Sequence, residues 1–307
     1  MIDIQKIETF LSAAESLSLS EAAKQLHLSQ PTVSHQIKIL ERELGVVLFT
    51  RSSTGLKLTE AGRLLLPWAR RLVHDTNDLK VMMTSLQDEI IGELRIACST
   101  TAGKYILPQM AARFCQRYPG IKVRILACGP ENAALKLLDG EAHISVVSSE
   151  NADPNLEAQE FFRDKITLIV PANHRWVSRR SIAPEEILEE KIIMREETSG
   201  TRRIVLTELA KYDISLDDLN VFLELGNAEA IVRTVAAGYG VSFVSTLASA
   251  CPLERGNVAD IAIDGLSLYR TIYMARKRIS SPHRPRDVFW GFVHDAANAD
   301  ILKLVGQ

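Results

Sequence analysis

The chain has 307 residues, of which 46% are hydrophobic and 24% are charged, and its formal net charge is -2 at pH 7. At ~100 to 200 residues per domain, this length predicts a folded protein with two domains, and the mixed composition excludes a disordered or fibrous chain. The near-neutral charge is no argument for a nucleic-acid partner.

The sequence predicts neither a targeting segment nor a membrane span. The N-terminus, MIDIQKIETF, lacks a basic stretch followed by an apolar run, and no window approaches the ~18 uninterrupted apolar residues of a membrane span. We therefore expect a cytoplasmic protein that has no membrane partner.

The cysteines and histidines do not indicate a metal site or a cofactor. The four cysteines are far apart and form no C-x-x-C pair, which argues against a zinc site and a disulfide framework and favours buried thiols. They are Cys98, Cys115, Cys128 and Cys251. The seven histidines show no ligand spacing, and no paired-glycine dinucleotide fingerprint is present.

Two short helices are predicted at the start of the chain. Apolar residues recur at spacings of three and four over residues 4–14, which predicts a first helix ending near Ser16. Ser18 followed by Glu21 has the pattern of a capping box, in which each side chain bonds the other residue's backbone N–H. A second helix is therefore predicted to run from there to about Leu26.

A third helix is predicted between Ser29, a candidate N-cap, and Gly45, a favourable residue for ending a helix. Pro31 falls in its first turn, where the missing N–H costs nothing. At ~100° per residue, the polar side chains gather opposite the apolar ones. The polar side chains are Thr32, Ser34, His35, Lys38 and Arg42. Such a face can offer hydrogen bonds to base edges and cations to phosphates.

A small hairpin is predicted after this helix. Residues 48–51 and 56–58 alternate in polarity on either side of a turn, which would place Arg51 and Lys57 close to a DNA backbone. Residues 1–62 contain six Lys or Arg against seven Asp or Glu, so overall basicity does not support DNA binding. On patterning alone, a small helical domain with a solvated polar face remains an alternative.

The residues themselves favour DNA binding. The run LSLSEAAKQLHLSQPTVSHQIKILERELGVVLFTRSSTGLKLTEAG closely resembles the DNA-binding domain of the LysR-type transcription regulators, without gaps from about Ile4 to Gly62. The resemblance implies an all-α winged helix-turn-helix that binds double-stranded promoter DNA. It implies a recognition helix that opens with Gln30, Pro31, Thr32, Ser34, His35 and Lys38. Many family members have Arg where this chain has His35.

A long linker helix is predicted from Glu60, with Thr59 as its cap and Pro67 as the site of a bend or a loosened turn. Its apolar stripe consists of Leu65, Trp68, Leu72, Leu79, Met82 or Met83, and Leu86. The helix could pack on its own chain, but the resemblance favours an antiparallel homodimer helix. Two-fold pairing would place two recognition helices on an inverted-repeat operator. We expect the homodimers to assemble further into a homotetramer. We expect residues 1–59 to form the DNA-binding domain and 60–89 the linker.

From Gly92 onward, short strand-like and helical runs alternate, which predicts an α/β domain. They include a predicted strand over 165–171 and a final helix near 286–302. This part resembles the effector domain of the same family, which is shaped like a type 2 periplasmic binding protein with two lobes and a cleft. We expect a regulatory domain over 90–307. Lobe I would span about 92–163 and 267–307, and lobe II about 164–266, with crossovers near 162–167 and 264–269.

Two hydroxyl clusters are predicted where strands meet helix N-termini, one in each lobe. Each can offer N–H groups, hydroxyls and the positive end of a helix dipole to an anion, although ordinary capping explains any single member. The candidate effector-binding residues of the two clusters are Ser99, Thr100 and Thr101 in lobe I and Thr198, Ser199 and Thr201 in lobe II. Ser148, Ser149 and Asn227 would complete the rim of the cleft. The segments CSTTAGKYILP and REETSGTRR resemble a branch of the family that regulates carbon-fixation and sulfur-assimilation genes and answers to small anions.

Three function classes are compatible with parts of the sequence. A ligand-responsive DNA-binding regulator explains both halves of the chain. A solute-binding protein explains only the second half and would need an export signal. An α/β enzyme would need a catalytic constellation, and the sequence shows none.

Overall fold

The computed structural model describes residues 3–52, 55–84, 90–98, 100–148, 153–279 and 282–303. Its N-terminal part is a three-helix unit followed by a two-stranded hairpin and one long helix. These elements are α1 (Ile4–Ser16), α2 (Leu19–Gln25), α3 (Gln30–Leu44), β1 (Phe49–Ser52), β2 (Gly55–Leu58) and α4 (Glu60–Thr84). The predicted order of elements in this part is confirmed.

Local capping sets the ends of these helices. Ser29 Oγ accepts the Thr32 backbone N–H at 3.3 Å, and Gly45 ends α3 with a φ of 71°. A positive φ of this kind is where glycine is favoured, because a Cβ would be strained there. Ser18 Oγ accepts the Glu21 N–H at 3.3 Å, as predicted, but the Glu21 carboxylate pairs with Lys24 at 3.4 Å.

Helix α4 has two unlike faces. Ala69 is fully buried, and Leu65, Leu66 and Val73 pack against the core of the three-helix unit. A neighbouring side carries large apolar side chains that are 44–68% exposed, namely Leu64, Trp68, Leu72, Leu79 and Met83. Leu65 therefore belongs to the packed face and not to the predicted stripe, and Leu86 lies outside the described residues. Pro67 lies inside the helix without ending it, and a bend there stays a prediction.

The C-terminal part is built on one mixed sheet. Its strands are β3 (Gly92–Cys98), β4 (Ile121–Ala127), β5 (Ile144–Val147), β6 (Leu156–Pro171), β7 (Ser181–Ile182), β8 (Ile192–Arg195), β9 (Val221–Leu225), β10 (Val241–Ser245), β11 (Val258–Ile263) and β12 (Tyr269–Lys277). Its helices are α5 (Thr100–Tyr105), α6 (Leu107–Arg117), α7 (Pro130–Leu138), α8 (Gly200–Leu209), α9 (Ala228–Ala236), α10 (Thr246–Glu254), α11 (Arg284–Phe292) and α12 (Ala299–Lys303).

The long strand β6 connects two halves of the sheet, whose order is β4-β3-β5-β12-β6-β10-β8-β9. Residues 156–165 of β6 pair with β12, and residues 166–171 pair with β10 and β11. A separate buried cluster lies against each half, one around Phe114 and Phe289 and the other around Trp176 and Phe243. The predicted two-lobed α/β architecture is confirmed. The lobe boundaries stay predictions.

The structure differs from the predicted elements in several places. Strand β6 begins at Leu156, not at Lys165, because its polar first half is paired along its whole length with β12. Helix α10 and strand β11 were not predicted. The final helix, predicted over 286–302, is broken, because Asp295 caps a short 3-10 turn that begins at Ala296.

The four cysteines are all free thiols. Cys98 is buried, and burial raises the pKa of its thiol to about 12. Cys115 and Cys128 are half-buried and Cys251 is exposed, so the prediction of buried thiols holds fully for Cys98 and is wrong for Cys251. Among the helices that the structure describes, none has the length and apolar character to cross a membrane.

Candidate DNA-binding surface and effector cleft

Helix α3 presents a polar, solvent-facing side. Val33, Ile37 and Leu40 are at most 5% exposed and fix the opposite side in the core. The exposed residues of the predicted recognition face are Ser29, Gln30, Pro31, His35, Lys38 and Arg42. Because the apolar side is anchored, these polar groups are held in one orientation without being buried themselves.

Thr32 and Arg42, two predicted members of this face, already form hydrogen bonds within the protein. Thr32 is half-buried, and its hydroxyl lies 2.8 Å from Ser29 Oγ, while its backbone N–H caps onto the same oxygen. Ser34 is also half-buried. Arg42 Nε donates to the Lys38 carbonyl at 3.3 Å, which holds its side chain along the helix.

A carboxylate of α3 holds the start of the hairpin that follows this helix. Glu41 Oε1 accepts the Leu48 N–H at 2.8 Å, a contact that the sequence did not indicate. Lys57 is exposed on β2 and pairs across the hairpin with Thr50. Arg51 lies in β1 opposite Leu56, but its side chain lies outside the described part of the structure.

The cleft between the lobes brings one hydroxyl of lobe I against the start of α8. A Cβ atom placed on Gly200 would collide with Ser148 Oγ and would lie 3.5 Å from Arg270 Nη1. Gly200 is therefore required for the close approach of Ser148 and the helix N-terminus. Ser199 Oγ accepts the Thr201 N–H at 3.2 Å, as an ordinary cap.

Thr201 has an unusual position at this point. Its side chain is 1% exposed, and its Oγ1 has no hydrogen-bond partner among the residues that the structure describes. An unpaired buried hydroxyl costs about 1–3 kcal/mol. Such a group is a candidate ligand contact, because a bound molecule would provide the missing hydrogen bond.

A buried ion pair joins the two crossover strands beside the cleft. Asp164 and Arg270 are register partners on β6 and β12 and are 0% and 7% exposed. Arg270 Nε donates to Asp164 Oδ2 at 2.7 Å, and Arg270 Nη2 lies 2.6 Å from the same oxygen without hydrogen-bond geometry. Ser245 Oγ donates to the other carboxylate oxygen at 2.6 Å.

Other polar contacts join the two lobes across the cleft. Tyr105 OH donates to Glu229 Oε1 at 3.2 Å, and Lys104 Nζ lies 3.5 Å from Glu229 Oε2. Burial, followed by the Glu229 charge, raises the pKa of Tyr105 to about 12, so its hydroxyl stays a donor. Arg203 Nη2 donates to the Ser148 carbonyl at 3.3 Å.

The remaining predicted effector residues lie as follows. Asn227 is exposed, and its Oδ1 accepts the N–H groups of Glu229 and Ala230, which matches the capping alternative. Thr198 is exposed. Thr100 and Thr101 lie in α5, but their side chains are not among those that the structure describes. Ser99 and Ser149 lie outside the described residues.

The sequence analysis missed Arg270, although the sequence contains a sign of its role. Arg270, Ile272 and Met274 alternate along β12 and share one face, and all three are buried. An arginine on the buried face of a strand needs a partner, so this position could have been marked as part of a site.

One cluster has the residue types of a metal site. Ligand atoms of Asp78, His143 and His283 lie within 4.8 Å of one another. His143 Nδ1 accepts the Arg95 backbone N–H at 3.1 Å, so the proton of the neutral ring is on Nε2, which lies 2.7 Å from Arg95 Nη2. His283 Nδ1 accepts the Arg286 N–H at 3.1 Å, so its proton is on Nε2. Neither ring has a lone pair free for a metal, and the two arginines repel a cation.

Comparisons with known families match both halves of the chain. The family described as "Bacterial regulatory helix-turn-helix protein, lysR family" matches residues 4–63. The family described as "LysR substrate binding domain" matches residues 87–298.

Two relatives cover nearly the whole chain. An uncharacterized HTH-type transcriptional regulator of Methanocaldococcus jannaschii is 33% identical over 292 residues, which cover 94% of this chain and 98% of that protein. A probable RuBisCO transcriptional regulator of Trichormus variabilis is 30% identical over 300 residues, which cover 94% of this chain and 88% of that protein.

Two solved structures share the fold. Full-length CbnR complexed with its target DNA has a TM-score of 0.72 at 20% identity and covers 95% of this chain and 99% of that chain. The regulatory domain of Synechocystis CcmR in complex with 2-PG has a TM-score of 0.60 at 27% identity and covers 70% of this chain and 97% of that chain.

A winged helix-turn-helix, joined by one long helix to a two-lobed α/β domain, defines a transcription regulator with an effector-binding domain. Within that class, the chain belongs to the LysR family. Its relatives are regulators and not enzymes, which removes the enzyme alternative. The relatives that are named for RuBisCO confirm the resemblance to carbon-fixation regulators.

Proposed function

We propose that this regulator binds inverted-repeat promoter DNA, and that a small anion bound between its lobes modulates DNA binding or activation. The exposed polar side of α3 and the hairpin would contact the DNA. The residues assigned to this contact are Ser29, Gln30, Pro31, Thr32, Ser34, His35, Lys38, Arg42, Arg51 and Lys57. We place the regulator in the cytoplasm, where promoter DNA is accessible.

The unpaired hydroxyl of Thr201 is the observation that carries the effector proposal. Thr201 lies in the first turn of α8, where backbone N–H groups and the helix dipole favour a negative group. The Arg270 guanidinium lies beside the same turn, since its Nη1 is 3.5 Å from a Cβ placed on Gly200. These donors come from two elements, the N-terminus of α8 and the crossover strand β12.

The charge balance limits what kind of anion fits. Arg270 is already neutralised by the fully buried Asp164. The site therefore recognises an anion mainly through hydrogen-bond donors and the α8 dipole, and not through a surplus of positive charge. A small carboxylate, phosphate or sulfur oxyanion meets this requirement. The complex of CcmR with 2-PG supports a small effector in a domain of this kind.

Substitution of Thr201→Val tests the effector site. Valine has nearly the same shape but lacks the hydroxyl, so the free protein should be equally or more stable, whereas the effector should bind at least about tenfold more weakly. Isothermal titration calorimetry with a panel of small carboxylates, phosphates and sulfur oxyanions measures the binding. Thr234→Val is the matched control, because the Thr234 hydroxyl donates to the Ala230 carbonyl within α9.

The same titration can contradict the proposal. A neutral or aromatic compound that binds where every anion in the panel fails would exclude an anionic effector. Equal affinities for the wild type and Thr201→Val would exclude the assigned contact. DNA binding is tested separately by measuring retention of the protein on promoter DNA. This retention should decrease as the salt concentration rises.

Helix α4 supports a homodimer. Leu64, Trp68, Leu72, Leu79 and Met83 recur at spacings of four and seven and are exposed in the single chain. An apolar stripe of this kind is stable in water only when a second helix covers it. Antiparallel pairing of two α4 helices would place two recognition helices on one operator.

Charge placed in this stripe should separate the protomers. We expect Leu72→Lys to shift the protein to smaller assemblies in sedimentation and to weaken operator binding, because avidity is lost. Leu135→Lys, at a leucine that is 54% exposed on α7, is the control. A Leu72→Lys protein with unchanged assembly would contradict the dimer helix.

Effector binding should reach the DNA through assembly geometry. A ligand in the cleft would compete with the polar contacts that now join the lobes, such as that of Arg203 with Ser148, and would alter their closure. A changed closure would alter packing in a homotetramer and the spacing of the DNA-binding domains. Identical footprints and DNA bend angles with and without saturating effector would contradict this coupling.

A further inference from the structure

A cavity lies where the linker helix meets lobe I, away from the inter-lobe cleft. Its volume is about 290 Å³, and it is lined by Arg71 of α4, by Lys277 and Arg278 at the end of β12, and by Asn155. All the ionisable residues among the lining residues that the structure describes are cations.

The three cations are held close together by the fold. Arg278 is fixed on one wall, because its backbone N–H donates to the Asn155 carbonyl at 2.8 Å and its Nε to the Pro154 carbonyl at 3.1 Å. Arg71 has a loose ion pair with Asp75 at 3.8 Å. Lys277 is half-buried, and none of the ion pairs or side-chain hydrogen bonds among the described residues includes it.

The charge of Lys277 is therefore poorly compensated. Burial lowers the pKa of Lys277, and the Arg71 charge lowers it further, while Asp75 and Asp139 act in the opposite direction without pairing directly. Lys277 is half-buried beside two exposed arginines, so a bound anion would relieve both the burial cost of its charge and the repulsion from Arg71.

We propose that this cavity, the junction site, binds a small phosphate-like anion that bridges Arg71 of the linker helix to Lys277 and Arg278 of lobe I. The volume suits an ion of the size of phosphate or a small phosphate ester. The junction site shares no residue with the inter-lobe cleft, so its occupation does not depend on the effector proposed there. Its anion would fasten the helix that carries the DNA-binding domain to the regulatory domain.

Titration of the full-length protein with inorganic phosphate tests the junction site. We expect Lys277→Gln to weaken one class of phosphate sites at least tenfold, and Lys277→Arg to retain it. Lys122→Gln, at an exposed lysine of β4, should leave that class unchanged. Thr201→Val should also leave it unchanged, which separates the junction site from the cleft.

Two results would overturn the proposal. One is phosphate binding to Lys277→Gln with the wild-type stoichiometry and affinity. The other is a wild type that binds no phosphate, or one whose phosphate binding is lost entirely in Thr201→Val.

Hydrogen exchange tests the bridging role. Phosphate should slow amide exchange in α4 around Arg71 in the wild type and in Lys122→Gln, but not in Lys277→Gln. A phosphate site that depends on Lys277 but leaves α4 exchange unchanged would overturn the bridge to the linker helix.

Discussion

The recognition helix and the inter-lobe cleft hold their polar groups in opposite ways. In α3, most of the groups assigned to DNA are exposed, and the apolar residues behind them provide the stability. In the cleft, Thr201, Arg270 and Asp164 are themselves buried and form part of the structure that positions them. Substitutions of the exposed side chains within α3 should therefore alter binding alone, whereas substitutions of the buried Asp164–Arg270 pair in the cleft should alter binding and stability together.

This difference follows from the partners of each region. DNA supplies phosphates and base edges over a broad surface, which solvated side chains can reach. A small effector offers few atoms, so its recognition needs donors that are already withdrawn from water and fixed in place.

The largest expected effect is at the buried ion pair. Arg270→Met would leave Asp164 buried and without its cationic partner, which costs about 3–5 kcal/mol in the free energy of unfolding. Urea denaturation measures this loss. Arg233→Met, at an exposed arginine of α9, should change the free energy of unfolding by less than about 0.5 kcal/mol. Similar values for the two variants would show that the cleft does not depend on the Asp164 pair for its stability.

The two regions also differ in how well the sequence predicts them. The ends of α3 could be predicted because Ser29 and Gly45 act locally, within one turn of the helix ends. The first half of β6 could not, because its polar residues are stabilised by partners far along the chain, as in the ion pair of Glu157 with Arg276 at 3.0 Å.

The same contrast applies to the candidate sites. Gln30, His35 and Lys38 follow from helical periodicity and from the family resemblance. In the cleft, Ser148 and Thr201 were predicted from their places at strand and helix ends, but the role of Arg270 depends on its register with Asp164 across two crossovers. No local pattern contains that register.

The second-largest expected effect concerns DNA contacts and should leave the free energy of unfolding unchanged. Gln30→Ala should cost about 1–3 kcal/mol on the specific operator and relax base preference, because a base-edge contact is lost. Lys38→Gln should weaken all DNA sequences alike and reduce the salt slope by about 1, because a phosphate contact is lost. Fluorescence anisotropy on operator and scrambled DNA, over a range of salt, measures both effects.

Lys24→Gln provides the control, since Lys24 is exposed on α2, away from the recognition face. If Gln30→Ala lowered thermal stability as much as it lowered affinity, the separation between an exposed binding face and a buried core would not hold for α3.

Acid should destabilise the junction between α4 and lobe I. Burial, with the nearby Arg95 charge, lowers the pKa of His74 to about 4 and that of His143 to about 2. Burial also lowers the pKa of His283 to about 3. Below pH ~6.5 the unfolded chain binds protons that the folded one excludes. The stabilising contribution of these neutral histidines is therefore full above that pH and is lost as the pH decreases below it.

Urea denaturation between pH 7.5 and pH 5 measures the slope of this loss with pH. His143→Asn should flatten it, because an amide oxygen can replace Nδ1 as acceptor for the Arg95 N–H without titrating. His27→Asn, at an exposed position with a φ of 54° that asparagine tolerates, should keep the wild-type slope. An unchanged slope in His143→Asn would show that this histidine does not contribute.

The smallest expected effect separates capping from DNA contact at Ser29. Ser29→Ala and Ser18→Ala each remove a side-chain cap, the former at α3 and the latter at α2, and each should cost about 1 kcal/mol in the free energy of unfolding. Ser29→Ala should in addition weaken operator binding, because Ser29 is exposed at the start of the recognition face and also orients Thr32 through a 2.8 Å hydroxyl contact. Thermal unfolding and operator titration of both variants give the two readouts. Equal operator affinities would reduce Ser29 to a cap, and the DNA-binding face would then begin at Gln30.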